Sequence, residues 1–418
     1  MHSVCKKIFS IGLGLVLVVS LGMAQVTQWR GEKRDGIFRN EKNLLTAWPA
    51  GGPQLLLKVD NLGKGYSSPI VDKGTIYVSG MKDTLDYLTA LDYTGKIKWQ
   101  VNYGRSWVKS FPDTRSSPTV EGERVYVLAG VGKLSCLNAT DGKTIWSVDV
   151  DKDYESEWHL WGVSESPLIV DDKVICSPGG KKTSVVAFDK MTGKEIWRTE
   201  AVGGPRCYIS PAIYEYDKFR FIIAATGQYL IAIIPETGKV AWSYKYWDSA
   251  KWDQDGLIWA NTPIWNKDEF FITMGYNYRP VMLKMNSEGT GVTEKYSPAV
   301  FDNHHHGVVL ADGYVYGSNW INNGKGNWVC MNWDTGEIMW ETQWMNKGSI
   351  VYADGLLYLY EEKQGNVGLV KPDPGKFNLI SSFRVTEGTG PHWAHPFIHD
   401  GMLFLRHGEV LLVYKISQ

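Results

Sequence analysis

The chain has 418 residues, and its 44 Lys and Arg against 45 Asp and Glu leave a formal net charge of −1. A balance this close to zero argues against a basic surface for nucleic acid and against an acidic disordered tail. The length excludes a solitary small core, and the 44 glycines, 19 tryptophans and 22 tyrosines favour a turn-rich, aromatic β protein over a disordered chain.

The first predicted element is an apolar run that follows two lysines. Lys6 and Lys7 precede an uncharged stretch over residues 8–21, and small residues follow it. This order is typical of a secretory signal peptide, and the run is shorter than the ~20 residues that span a bilayer. We therefore expect residues 1–24 to be a signal peptide. Residues 25–418 are then one exported domain of the periplasm or cell envelope, with no transmembrane segment, and we expect a monomer.

A unit of the form Ala-x-Asp-x-x-Thr-Gly-Lys-x-x-Trp recurs along the rest of the chain. One strand ends at Asp or Asn, a glycine turns the chain, and a second strand carries a large aromatic residue inward. The aromatic positions of seven units are Trp99, Trp146, Trp197, Trp242, Tyr296, Trp340 and Phe383. The chain length between successive aromatic positions accommodates four strands, the content of a propeller blade. Each aromatic residue should pack between neighbouring sheets.

Ser-Pro or similar steps mark where each unit begins. Eight such starts are present, at Ser68, Ser117, Ser166, Ser210, Thr262, Gly307, Ser349 and His395. The last unit, which runs from about residue 395 to residue 417, lacks its aromatic-bearing strand, whereas residues 54–59 form an orphan strand near the start of the domain. Pairing the two would close the ring and remove two exposed edges. The pattern therefore predicts a single all-β domain, an eight-bladed β-propeller closed by an N-terminal strand.

The recurring unit resembles the tryptophan-docking repeat of the pyrroloquinoline-quinone (PQQ) propeller superfamily. The opening Gln-Trp-Arg-Gly…Arg-Asp-Gly over residues 28–36 is similar to the start of its exported, uncharacterised members. The resemblance covers residues 28–416 and implies a propeller of the quinoprotein alcohol dehydrogenase-like type. It implies no single activity, because the superfamily includes both quinoprotein alcohol dehydrogenases and non-catalytic scaffolds such as the outer-membrane β-barrel assembly propeller.

The loops that lead into the inner strands, called inner-strand loops here, hold the candidate site. These loops converge at one end of the channel of a propeller, where ligands usually bind, and they carry six of the nine histidines. We expect a pocket there for a small molecule, a glycan or a protein partner. The candidate ligand-binding residues are Tyr66, Arg115, Trp161, Glu165, Tyr208, Trp259, Asn261, His304, His305, Trp393 and His395.

The sequence also permits a purely structural role for the side chains at this end of the channel. Polar and aromatic side chains can plug a propeller channel without binding anything, and Arg115 with Glu165 can form an ion pair between neighbouring blades. The prediction that separates the two interpretations is that Arg115, Glu165, Asn261, His305 and His395 face one common cavity.

Two functions from different classes remain open for such a pocket. A binding or scaffold protein needs only a rigid ring that presents its loops to a partner. The resemblance implies, as the alternative, a PQQ- and Ca²⁺-dependent alcohol dehydrogenase, with Glu165 and Asn261 as cation ligands and Asp253 or Asp302 as the catalytic base. The chain lacks the vicinal cysteine pair and the haem-attachment Cys-x-x-Cys-His found in many such enzymes.

A carbohydrate-active lyase or hydrolase is a third possibility, with Arg115, Tyr208 and His305 as its reactive cluster. A metal site is a further one, because His304 and the two histidines after it are neutral ligands in a loop. Adjacent side chains point in different directions, so at most two of the three can face one ion.

Overall fold

The computed structural model describes residues 25–158, 160–248, 251 and 256–418. Eight β-sheets account for nearly all of its regular structure, and one short helix, Val150–Asp153, follows the outer strand of the second blade. Among the described residues, no helix has the length and apolar character needed to cross a membrane. The predicted signal peptide, residues 1–24, lies outside the described residues.

Each blade has four antiparallel strands, which in seven of the eight blades follow one another directly in the chain, and the sheets of blades 2 and 7 each gain a short fifth strand from the N-terminal segment. The strands of blades 1 to 4 are Ile70–Asp72, Thr75–Lys82, Leu85–Leu91 and Ile97–Arg105; Thr119–Glu121, Arg124–Leu128, Lys133–Asn138 and Thr144–Asp149; Leu168–Val170, Lys173–Cys176, Val186–Asp189 and Glu195–Arg198; and Ala212–Tyr216, Phe219–Ala225, Tyr229–Ile233 and Val240–Lys245. Those of blades 5 to 7 are Ile264–Asn266, Glu269–Ile272, Val281–Met285 and Val292–Tyr296; Val308–Ala311, Tyr314–Ser318, Trp328–Asn332 and Ile338–Thr342; and Gly348–Ala353, Leu356–Glu361, Asn366–Lys371 and Asn378–Arg384.

The eighth blade combines the two ends of the domain. Its first three strands are Phe397–His399, Met402–His407 and Val410–Lys415, and its outer strand is Gln54–Val59. That outer strand pairs antiparallel with Val410–Lys415. The predicted ring closure by an N-terminal strand is therefore confirmed.

The Ser-Pro steps join neighbouring blades near the channel. The backbone N–H of Ser68 donates to the hydroxyl of Ser117 (2.8 Å), and the N–H of Ser117 donates to the hydroxyl of Ser166 (3.1 Å). The N–H of Ser166 continues the series to the hydroxyl of Ser210 (3.0 Å). Because each hydroxyl satisfies a buried backbone donor of the preceding blade, the step recurs at the start of successive blades.

The repeated tryptophans dock onto the next blade, as the spacing predicts. The Nε1–H of Trp99, Trp146 and Trp197 donates to a carbonyl in the turn of the following blade, at 3.0, 3.1 and 2.9 Å. Trp146 lies opposite Cys136 in its own sheet, and that cysteine is fully buried. A small residue at this position leaves room for the indole, so Cys136 acts as a spacer.

Gly193 is the turn glycine that contacts the docked ring of Trp146, and its replacement by alanine tests this junction. Its φ is +73°, and an added Cβ would lie 2.6 Å from a carbon of the indole. We expect Gly193→Ala to lower the free energy of unfolding by about 2–3 kcal/mol, since backbone strain and overpacking add. The control is Gly74→Ala, at φ +71° with nothing within 4 Å of the added carbon, for which about 1 kcal/mol is expected. Equal losses in urea unfolding would contradict the docking role.

An N-terminal segment, residues 26–38, crosses the central channel and is called the channel plug here. Val26–Thr27 adds to the inner edge of blade 2, and Ile37–Phe38 pairs in parallel with the inner strand of blade 7. Arg34 donates to the carbonyls of Ser166 (2.9 Å) and Pro211 (2.8 Å) in blades 3 and 4. The resemblance marked this segment without indicating what it does, and the structure shows that it bonds to inner strands of several blades around the channel.

Arg30 is the second arginine of the channel plug, and it reaches the opposite side of the ring. Its guanidinium donates to the carbonyls of Val308 (2.8 Å) and Ile350 (3.1 Å) in blades 6 and 7. Burial lowers the pKa of Arg30 to about 10 and that of Arg34 to about 9, so both stay cationic at neutral pH. The two arginines therefore tie inner strands on both sides of the channel to one short segment.

Candidate functional site

A cavity of about 320 Å³ opens at the end of the channel where the inner-strand loops converge. Eight of the predicted residues line it: Tyr66, Arg115, Trp161, Tyr208, His304, His305, Trp393 and His395. Of the five residues expected to share one cavity, Arg115, His305 and His395 do so, and Glu165 and Asn261 lie outside its lining.

Aromatic rings form a nearly continuous wall around the cavity. The ring centroids of Trp161 and Tyr208 are 5.6 Å apart, and those of Tyr66 and Trp393 are 4.9 Å apart. Phe111 links the two pairs, at 6.2 Å from Trp161 and 5.8 Å from Trp393, and is 55% exposed at the mouth. Such a wall offers flat apolar faces to a ring-shaped ligand.

The floor of the cavity comes from the channel plug. Trp29 lines the cavity, and its ring lies edge-on to His395 at 5.2 Å. Arg30 approaches His395 Nδ1 at 2.9 Å, so Nδ1 accepts that bond and the other ring nitrogen is left to donate to the carbonyl of His305 (3.1 Å). Burial and the charge of Arg30 hold the pKa of His395 well below its usual value. The imidazole is therefore neutral.

Arg115 supplies positive charge on one side of the cavity. Its guanidinium lies 5.9 Å from the ring centre of Tyr66 and donates to the carbonyl of Asp113 (3.2 Å) and to that of Phe111. Among the described residues, no carboxylate forms an ion pair with it. Burial lowers its pKa, but an arginine remains charged at neutral pH. The remaining N–H groups are available to an anionic ligand.

Glu362 lies in blade 7, across the ring from Arg115, which precedes blade 2. Its carboxylate receives Lys347 Nζ at 2.7 Å, Trp393 Nε1 at 2.9 Å and His306 Nε2 at 3.0 Å. Burial favours the neutral acid, but the hydrogen bond from His306 and the charges of His306 and Lys347 outweigh it and lower the pKa of Glu362 to about 2. The group is thus a carboxylate at the cavity wall.

The three consecutive histidines differ in their surroundings. His304 Nε2 lies 2.8 Å from the hydroxyl of Tyr276, and the ring centroids of His305 and His306 are 4.1 Å apart. Burial, followed by the charge of His306, lowers the pKa of His304 to about 3 and that of His305 well below its usual value. The two imidazoles at the cavity wall are therefore neutral at physiological pH.

Glu165 and Asn261, the predicted cation ligands, are engaged in bonds within the ring. The Glu165 carboxylate accepts the N–H of Ser177 (3.0 Å) and lies 3.2 Å from Arg206, which also pairs with Asp151. Burial raises the pKa of Glu165 to about 7, against the opposing charge of Arg206. The ion pair of Arg115 with Glu165 that the alternative interpretation expected is therefore wrong for the described residues, and Glu165 pairs with Arg206 instead.

Asn261 holds the histidine loop. Its Nδ2 donates to the carbonyls of Asn303 (2.6 Å) and His304 (3.0 Å), and its Oδ1 accepts the N–H of Gly307 (3.0 Å). These bonds fix the backbone on both sides of the three histidines. Trp259, another predicted ligand residue, is fully buried behind the wall, where its ring packs edge-on to Tyr246 at 5.0 Å.

Of the two predicted catalytic carboxylates, the structure describes only Asp302, which lies outside the lining of the cavity. Asp302 accepts the N–H of Asn277 (3.0 Å), and burial raises its pKa to about 6. Asp253 lies outside the described residues.

Ten lining residues escaped the sequence prediction, and the site depends most on four of them. Trp29 belongs to the channel plug, Phe111 lies at the tip of an inner-strand loop, and Tyr276 and Glu362 follow second strands of blades 5 and 7. Tyr276 and Glu362 do not belong to the inner-strand loops, so the pattern of those loops does not indicate them. A search of the turns after second strands for polar or aromatic residues would have found them.

Comparisons with known proteins agree with this architecture. Quinohemoprotein alcohol dehydrogenase ADH IIB of Pseudomonas putida is 26% identical over 272 residues, which make up 51% of this chain and 37% of that enzyme. The chain therefore covers less than two thirds of the length of this curated relative.

Solved structures with similar folds include a BamB propeller and a quinohemoprotein alcohol dehydrogenase. BamB from Moraxella catarrhalis superposes with a TM-score of 0.59 at 17% identity, over 87% of this chain and 98% of that one. Quinohemoprotein alcohol dehydrogenase from Comamonas testosteroni superposes with a TM-score of 0.62 at 14% identity, over 92% of this chain and 79% of that one. The profile of the family described as "Outer membrane protein assembly factor BamB" matches residues 86–342, more than half of the chain. The chain thus belongs to this BamB-like family of PQQ-repeat propellers.

Proposed function

We propose that the chain is an exported binding protein that holds a small ring-shaped organic carboxylate in the cavity. The observation that carries the proposal is Arg115, a cation with no carboxylate partner among the described residues, inside a wall of aromatic rings. A guanidinium offers paired donors that match the two oxygens of a carboxylate. The rings of Trp161, Tyr208 and Trp393 supply faces for the body of an acidic sugar or an aromatic acid.

A PQQ- and Ca²⁺-dependent dehydrogenase is the alternative that the resemblance implies, and the predicted cation ligands do not fit it. The Glu165 carboxylate is committed to Arg206 and Ser177, and Asn261 Oδ1 accepts the N–H of Gly307. Neither side chain contributes to the cavity wall. We therefore derive no step through a bound cation on these residues.

Titration calorimetry of the purified protein tests the proposed function. The probes are glucuronate, PQQ with and without Ca²⁺, and glucose as the neutral match for glucuronate. We expect at least one carboxylate probe to bind while glucose does not, and Arg115→Gln to weaken that binding by roughly 10- to 100-fold, because a charged hydrogen-bonded contact is lost.

The matched control is Arg198→Gln, an exposed arginine on the outer strand of blade 3, which should leave binding unchanged. Equal binding of glucose and glucuronate, or full binding by Arg115→Gln, would contradict the proposal. Turnover of simple alcohols in a dye-reduction assay with PQQ and Ca²⁺ would establish the dehydrogenase instead.

A further inference from the structure

We propose that His305, His306 and Glu362 form a binding site for a divalent transition metal of the Zn²⁺ type in the wall of the cavity. Two imidazoles and one carboxylate are a donor set that such ions take in proteins, with further positions left open. The site does not depend on the proposed carboxylate ligand, because all three donors belong to the chain itself.

The donor atoms already lie at distances that suit one ion. Glu362 Oε2 is 3.0 Å from His306 Nε2 and 4.0 Å from His305 Nε2, and all three atoms are within 4.8 Å of one another. Metal–ligand bonds of about 2.0–2.2 Å place neighbouring donor atoms about 3.0–3.6 Å apart. Side-chain movements of about 1 Å therefore bring the donor atoms to these distances.

The carboxylate is held in place from behind. Lys347, whose side chain is fully buried, donates to Glu362 Oε1 (2.7 Å) and to the carbonyls of Asn322 (3.0 Å) and Asn323 (2.9 Å). Trp393 Nε1 donates to Oε2 at 2.9 Å, which leaves the second lone pair of Oε2 directed to the histidines. Lys347 lowers the attraction for a cation by its charge, but it fixes the orientation of the ligand as outer-shell groups do.

The histidine loop is held equally firmly. Asn303 Oδ1 accepts the N–H of His306 (3.2 Å), and Asn303 Nδ2 donates to the carbonyl of Ser318 (2.6 Å). Asn261 and His395 bond the carbonyls of His304 and His305. Because the loop is already ordered by these bonds, metal binding does not have to pay for ordering it.

The open positions of the ion would face the cavity. His305 and Glu362 both line the cavity, whereas His306 is fully buried behind them. A metal held by the three donors therefore presents its remaining positions to water or to an oxygen atom of a ligand. Binding replaces the hydrogen bond between His306 and Glu362, because Nε2 must then present a lone pair to the ion while the ring proton resides on Nδ1.

The test uses the untagged full domain, titrated with ZnCl₂ by calorimetry and with Co²⁺ followed by visible absorption. We expect one ion per chain and a Co²⁺ spectrum of low-symmetry coordination. His305→Ala should weaken binding by about 100-fold, since one of three ligands is lost. Lys347→Met should weaken it by about 10- to 100-fold, because the carboxylate is no longer held in its orientation. The matched control is His399→Ala, a surface histidine beside Asp400, which should bind as the parent does.

His305→Ala is the decisive variant, because the hydrogen bonds that hold the loop within the described residues come from Asn261, Asn303 and His395 and not from the His305 ring. The protein should therefore remain folded by circular dichroism. Glu362→Gln serves as the second variant, read together with its melting temperature, since Lys347 loses its ionic partner there. Absence of Zn²⁺ and Co²⁺ binding by the folded parent would overturn the proposal. Undiminished binding by His305→Ala would overturn it as well, because the ion would then lie elsewhere.

Discussion

Arg34→Met is expected to lower the free energy of unfolding by about 3–5 kcal/mol, because several charged hydrogen bonds are lost inside the ring. Arg34 is 2% exposed and donates to carbonyls of Ser166, Pro167 and Pro211 and to the side chain of Gln28. Methionine fills a similar volume but donates nothing, so these buried acceptors lose their partner. Urea unfolding followed by tryptophan fluorescence measures the loss.

The matched control for this variant is Arg39→Met. Arg39 lies just outside the channel plug, has a side chain that is 36% exposed, pairs with Asp35 four residues earlier and donates to the carbonyl of Ile37 (3.4 Å). An exposed pair of this kind contributes less than about 1 kcal/mol. Similar losses for the two variants would show that the channel plug does not hold the blades together.

The second large effect is expected for Arg206→Met, at about 3–5 kcal/mol, because two buried carboxylates lose their shared cation. Arg206 lies 3.2 Å from Glu165 and pairs with Asp151, and all three side chains are at most 6% exposed. Two acidic groups would then share one buried space with no cation beside them, so that ionising them in the folded protein becomes costly. The free energy of unfolding in urea, measured at several pH values, tests this expectation.

The loss should grow with rising pH. Burial raises the pKa of Glu165 to about 7 from its ordinary 4.5, so the unfolded chain releases this proton first and stability falls between those two values. Removing the cation strengthens that dependence, because the charge of Arg206 is what favours the ionised form in the folded protein. Arg220→Met, on a partly exposed arginine paired with Asp171, Glu215 and Glu236, is the control and should cost about 1 kcal/mol, with no increase as the pH rises from 4.5 to 7. A pH-independent loss in Arg206→Met would contradict this account.

The blade count and the closure of the ring could be predicted from the sequence because both follow from local patterns. Each docked tryptophan, such as Trp146, occupies a fixed place in a unit of nearly constant length and contacts the turn that starts at the same place in the next unit. The strand Gln54–Val59 belongs to no complete unit of the repeat, and the last unit was the one that lacked an outer strand. Periodicity therefore determined the architecture without any knowledge of distant contacts.

The cavity was predictable only in part, because a loop position does not tell which way a side chain points. Arg115 and Glu165 both lie just before an inner strand, yet the first faces the cavity and the second faces Arg206 within the ring. Glu362 follows a second strand, so its place beside the histidines depends on how blades 6 and 7 pack. Such neighbourhoods are set by three-dimensional packing, which has no periodic signature.

The channel plug has a consequence for how the chain acquires its structure. Its Arg30 bonds a carbonyl 320 residues later in the chain, and the outer strand of blade 8 likewise pairs with the last strand. Contacts of such sequence separation slow folding, because loop closure must precede the stabilising contact. During synthesis, the first residues of the domain thus remain without their native partners until nearly the whole polypeptide has emerged, and the incomplete ring exposes strand edges that favour aggregation. A folding helper that shields such intermediates would benefit this protein more than one of equal size built from local contacts.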